Sequence, residues 1–115
     1  MRKELISVVI SALFFMPVIA QTVNTDSIKA EMDKIEITNQ GMKQVIENYK
    51  KGVIKGDPES MNLLAVECMS GKYVKPSIEI GLKLLETAAN QNNVDAQYNL
   101  HNYLFVFWIR QQSND

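Results

Sequence analysis

Apolar residues recur at helical spacing along most of the chain. Met42, Val45, Ile46, Tyr49 and Val53 fall at i, i+3, i+4, i+7 and i+11. Met61, Leu64, Ala65 and Cys68 repeat the first four of these intervals. Ile78, Leu82, Leu85 and Ala89 make a third stripe, and Ala96, Leu100, Tyr103 and Phe107 a fourth. Each stripe places one apolar face on a helix. No alternation of period two competes over a comparable length, so the pattern predicts an all-α fold.

The punctuation between the stripes agrees. Asp57-Pro58-Glu59 combines an N-cap, a proline suited to the first turn and an acid facing the positive end of the helix dipole. Gly56 ends the helix before it, and Gly71 ends the helix running from Ser60 to Ser70. Ser77 caps a helix predicted to reach about Gln91, and Asn93 caps the next. Asn39 caps the helix carrying Met42 to Lys51, and Ser27 to Glu36 forms a further short helix. Short turns between helices of 10–15 residues predict antiparallel helical hairpins.

The pattern also repeats. At a shift of 36 residues Asp57-Pro58-Glu59 lies over Asn93-Val94-Asp95, and Leu64 over Leu100. Ile46 lies over Leu82 and Tyr49 over Leu85. A period in the thirties with two helices per unit marks an α-solenoid, in which each hairpin buries its face against the next. The stretch from Val74 to Leu100 holds an Ala88-Ala89 doublet, a short turn and Ala96-Gln97-Tyr98-Asn99-Leu100. It resembles the Sel-1-like repeat. An earlier, more degraded copy carries Gly52-Val53 at the doublet and Ser60-Met61-Asn62-Leu63-Leu64-Ala65 at the second helix. The resemblance covers about residues 41 to 103. It implies a short α/α solenoid, relative of the tetratricopeptide fold, that binds another protein. His101 departs from the pattern, standing where a small Gly is usual, and Tyr73 stands where a loop Gly is common.

The first twenty residues do not belong to that domain. Arg2 and Lys3 precede a mostly apolar stretch from Leu5 to Ile19, and Val18 and Ala20 supply the small residues that a signal peptidase accepts. The alternative is an uncleaved anchor, but a spanning helix needs roughly 20 apolar residues and Pro17 interrupts this shorter stretch. Cleavage after Ala20 would leave 95 of the 115 residues. The chain then divides into a signal peptide (1–20), a linker with a possible short helix (21–40), a repeat region (41–104) and an apolar tail (105–115). It is exported, to the periplasm or outside the cell, with no stable membrane span once the leader is removed.

Charge narrows the partners. The leader takes two of the 12 basic and one of the 13 acidic residues, so the mature part has ten and twelve, a net charge of −2. No basic face for nucleic acid or an anionic membrane follows from that balance. Cys68 is the single cysteine, so no intrachain disulfide forms. The cysteine-rich exported members of the resembled family, linked to β-lactam chemistry, stitch each hairpin with a disulfide, and that activity is not carried over. No Asn-x-Ser/Thr sequon is present.

Residues for chemistry are sparse. His101 is the only histidine, without a Gly-x-Ser-x-Gly elbow to accompany it. One His and one Cys do not make a zinc site, and Gly71-Lys72 lacks the rest of a phosphate loop. Glu59 with Glu67, or Glu79 with Glu86, read as solvated charges rather than a glycosidase pair. Cys68, in step with Leu64 and Ala65, reads as a small buried residue. The expectation is therefore a binding scaffold and not an enzyme, without cofactor or metal. Asn62, Glu67, Gln97 and Asn99 are the candidates for lining its groove. Tyr103 to Ile109 carries no charge, and it includes Phe105 and Trp108 as further candidates for protein contact. That stretch either folds back over the last hairpin, or binds a partner or a second copy, or is the uncovered end of a shortened repeat array.

Overall fold

The computed structural model describes residues 25–113, with side chains described from Ser27 on. Residues 1–24, with the stretch read above as a signal peptide, lie outside the described residues. Within them the fold is all-helical: α1 (Thr25–Asp33), a single 3-10 turn (Gln40–Met42), α2 (Lys43–Ile54), α3 (Pro58–Ser70), α4 (Ile78–Asn90) and α5 (Val94–Ser113). Each α-helix packs on the next as far as α3, with the broadest contact between α3 and α4, and α5 lies against both α4 and α3. The core gathers Ile46, Val53, Met61, Leu64, Leu85 and Leu100 from four of these helices, and α1 closes it with Met32.

Local chemistry sets the boundaries. The Asp57 carboxylate accepts from the backbone N–H groups of Glu59 and Ser60, and Pro58 opens α3 behind it. Gly71, at φ 69°, ends α3 in the left-handed conformation, where a side chain would also crowd Pro76. Ser77 caps α4 by accepting from Ile80 N. Asn39 caps the 3-10 turn by accepting from Gly41 N. The segments before α2 and before α4 are tied to each other: Ile37 pairs with Val74, the Tyr73 carbonyl accepts from Thr38 N at 2.9 Å, and Lys75 N donates to Glu36 O at 2.8 Å.

The turns α2–α3 and α4–α5 are built from the same bonds, 36 residues apart. Gly56 N donates to Val53 O, and Asn92 N to Ala89 O. Asp57 N donates to Gly52 O, and Asn93 N to Ala88 O. Asp57 caps Ser60 N at 3.2 Å as Asn93 caps Ala96 N at 2.8 Å. The one residue of each turn with positive φ falls at the same place, Gly56 at 86° and Asn92 at 65°. Asn93 Nδ2 also donates to Glu59 Oε2 at 3.3 Å, which joins the two turns.

Two stripes differ from the sequence expectation. On α4 the buried residues are Ile80, Gly81, Leu84, Leu85, Ala88 and Ala89, whereas Ile78 is exposed and Leu82 half-buried. Helix α4 is covered by α3 and α5 and also meets α1, where Lys83 bridges to Glu31 at 3.2 Å. A face covered from several sides is wider and turned relative to a single stripe. On α5 the stripe fades: Ala96 and Leu100 are buried, Tyr103 is half-buried, and Phe107 is 46% exposed.

Candidate functional site

The six candidate residues separate into an internal group and an external one. Asn62 sits on α3 and is 5% exposed, the only buried polar residue among those described. Its Oδ1 accepts from Asn99 Nδ2 on α5 at 2.9 Å, across 37 residues of chain. The two asparagines are thus brought together, but as a contact between helices rather than as a groove surface. Gln97 is exposed, with its side-chain amide donating to Ala89 O at 3.1 Å, so it braces the end of α4.

Glu67 is half-buried on α3, and its Oε2 is buried without a hydrogen-bond partner. Its neighbour Cys68 is fully buried, and burial, with a smaller contribution from the Glu67 charge, pushes the thiol up to about 11. At neutral pH this cysteine is protonated and packed away, a poor nucleophile. His101 is exposed on α5. Among the described residues, no group of three or more His, Cys, Asp or Glu side chains lies close enough to hold a metal ion.

Two depressions lie among the described residues. One cavity of about 190 Å³ lies between α1 and α4, bordered by Ile28, Met32, Lys83 and Leu84. That is below the roughly 300–1,000 Å³ of ordinary small-molecule pockets. A second depression of about 310 Å³, around Glu31, Lys34, Lys75 and Glu79, is open and lined largely by charged side chains. Neither gathers Asn62, Glu67, Gln97 or Asn99.

The external group lies on α5. Tyr103 to Ile109 does not fold back over the last helices. Helix α5 runs without a break to Ser113, and Phe105, Val106, Phe107 and Ile109 are exposed. Phe105 and Trp108 stack with ring centroids 6.4 Å apart, as do Tyr103 and Phe107. Val94 and Tyr98, at 72% and 66% exposure, extend the apolar surface to the start of the helix. At 100° per residue Val94, Tyr98, Phe105 and Ile109 share one face, opposite Ala96 and Leu100. The sequence reading took Tyr103 to Ile109 as an uncharged stretch open to a partner, and missed Val94 and Tyr98 as part of the same surface. The signal was available as a second run at three- and four-residue intervals. No helix among the described residues is long and apolar enough to cross a membrane. Compared with known proteins, the chain matches no family model, no curated protein and no solved structure.

Proposed function

We propose that this chain is an exported scaffold, a short α-solenoid of Sel-1-like hairpins, that works by holding a protein against the outer face of α5. The observation that carries the reading is that face: Tyr98 and Phe105 lie mostly in solvent on a helix whose opposite side is in the core. A helix apolar on both sides belongs between two layers, and the described residues supply one of them. The repeated α2–α3 and α4–α5 turns support the solenoid part of the proposal, because stacking units of this kind present a helix face at each end of the stack. Export rests on the leader motif, and N-terminal sequencing of the protein recovered from its host should begin at Gln21.

The binding role is tested by photocrosslinking in the native host. Benzoylphenylalanine placed at Tyr98 or Phe105 should give a discrete protein adduct, and the same group at Lys51 on α2 should give none. Absence of any discrete adduct from the α5 positions would overturn the scaffold reading.

A further inference from the structure

Helix α1 stands apart from the repeat that organises the other four. At the 36-residue shift Lys29 and Asp33 fall where α3 has Ala65 and Met69. Those two positions of α3 receive α4: a Cβ on Gly81 would come within 3.3 Å of Ala65 O and would overlap Met69. On α1 the same two positions are charged and exposed, so α1 does not seat as α3 does. It turns Ile28, Met32 and Ile35 inward, at i, i+4 and i+7, and lies across the first helix of both units. Each of those helices holds it by one lysine. Lys50 of α2 donates to Ile35 O at 3.2 Å, and Lys83 of α4 meets Glu31 Oε1 at 3.2 Å.

The seat is loosely filled. Where α3 meets α4 there is no room for a side chain at Gly81. Between α1 and α4 the two depressions remain, bordered in common by Glu31 and Ile80. The one beside Ile28, Met32 and Leu84 holds about 190 Å³, space that a well-packed contact would fill. Ile28 is only half-buried beside it. Helix α1 has nine residues, short of the roughly 12–15 that a helix needs to persist by itself. Lys83 is 53% exposed, so its pair with Glu31 is a surface bond that adds little hold. A helix with the same inward pattern and a larger side chain at the place of Ile28 would fit this seat better than α1 does.

We propose that the seam of α2 and α4 is a docking groove for an amphipathic helix of another protein, apolar at i, i+4 and i+7 with an acid at i+3, and that α1 is a built-in stand-in which such a helix displaces. Spacing of this kind is how grooves read helices. The acid takes Lys83 from Glu31, and the first apolar residue enters the cavity that Ile28 leaves open. The chain then has a closed state, with α1 seated, and an open one. A partner binds only by its advantage over α1, which makes the groove selective. This surface is separate from the outer face of α5 and does not depend on the reading of that face.

The test is fluorescence anisotropy on the chain as its host processes it. The probe is a labelled peptide of residues 25–36 carrying Ile28→Phe. The chain should bind it at least ~3-fold more tightly than the same peptide with Ile28 kept, because the ring fills the cavity. A peptide with Met32→Asp should not bind. Amide hydrogen exchange in α1 of the chain should speed up when the probe is bound, with α5 unchanged. Met32→Gln in the chain loosens its own α1, so that variant should bind the probe at least ~5-fold more tightly. A chain that binds neither apolar peptide, one that binds both equally, or binding that leaves exchange in α1 unchanged would each overturn the proposal. So would a Met32→Gln chain that loses the helices from α2 to α5, because α1 would then be an indispensable part of the core and not a replaceable occupant.

Discussion

Two polar side chains inside the fold differ in a way that can be measured. Asn62 is buried and satisfied by Asn99. Removing the donor with Asn99→Ala leaves an amide oxygen without its partner, an expected cost of about 1–3 kcal/mol. Thermal denaturation should show this, and replacing both residues with leucine should cost less than Asn99→Ala alone. Glu67 is the opposite case, because its Oε2 is already without a hydrogen-bond partner. Glu67→Met keeps the length and removes the stranded acceptor, so it should raise the melting temperature, by up to ~1–2 kcal/mol of stability. Asp57 adds a pH dependence. The Ser60 hydroxyl, donating at 2.6 Å, together with the backbone N–H groups of Ser60 and Glu59, holds its carboxyl below its ordinary value. The folded pKa lies below the unfolded one, so this stabilisation is present above the unfolded pKa and is lost as pH falls through the folded one. Asp57→Asn should flatten that part of an acid titration of stability while keeping the cap, as Asn93 does in the second turn. Asp57→Ala should cost about 1 kcal/mol at neutral pH.

At the scale of elements, the helix starts were legible because capping chemistry is local. Asp57-Pro58, Ser77 and Asn93 each satisfy N–H groups within three residues, and the structure has all three caps. Burial was less legible, because it depends on which other helices arrive. Ile80 and Leu84 were outside the expected stripe of α4 yet are buried, since α1 also reaches that helix. The candidates Asn62 and Asn99 read as surface because asparagine usually is; their pairing across two helices has no trace in local spacing. The outer seam of α5 was obscured for another reason. Apolar residues on both sides of a helix blur its periodicity, and the inner stripe continued the repeat. Helix spacing within a unit depends on small residues. A Cβ on Gly52 would fall 2.6 Å from Ser60 Cβ and would overlap its hydroxyl, whereas the second unit holds Ala88 and Ala96 at the same two positions. Gly52→Ala alone should destabilise by about 1–3 kcal/mol through overpacking. Adding Ser60→Ala should recover part of that loss in a denaturant titration, because it recreates the alanine pair of the second unit.

At the scale of the whole molecule, one helix serves two layers. The start of α5 anchors in the core through Ala96 and Leu100, while its outer face and later residues carry apolar side chains into solvent. Stability and association should therefore separate along this helix. Leu100→Ala should cost about 2–5 kcal/mol in stability, as expected for a buried leucine. Phe105→Glu should leave stability nearly unchanged and act on association. The most direct test of that separation is photocrosslinking in the native host. If α5 is the contact surface, benzoylphenylalanine at Phe105 should give a discrete protein adduct and leave the melting temperature nearly unchanged. Absence of an adduct, or adducts that form as readily from α1 or from Lys51 of α2, would contradict it.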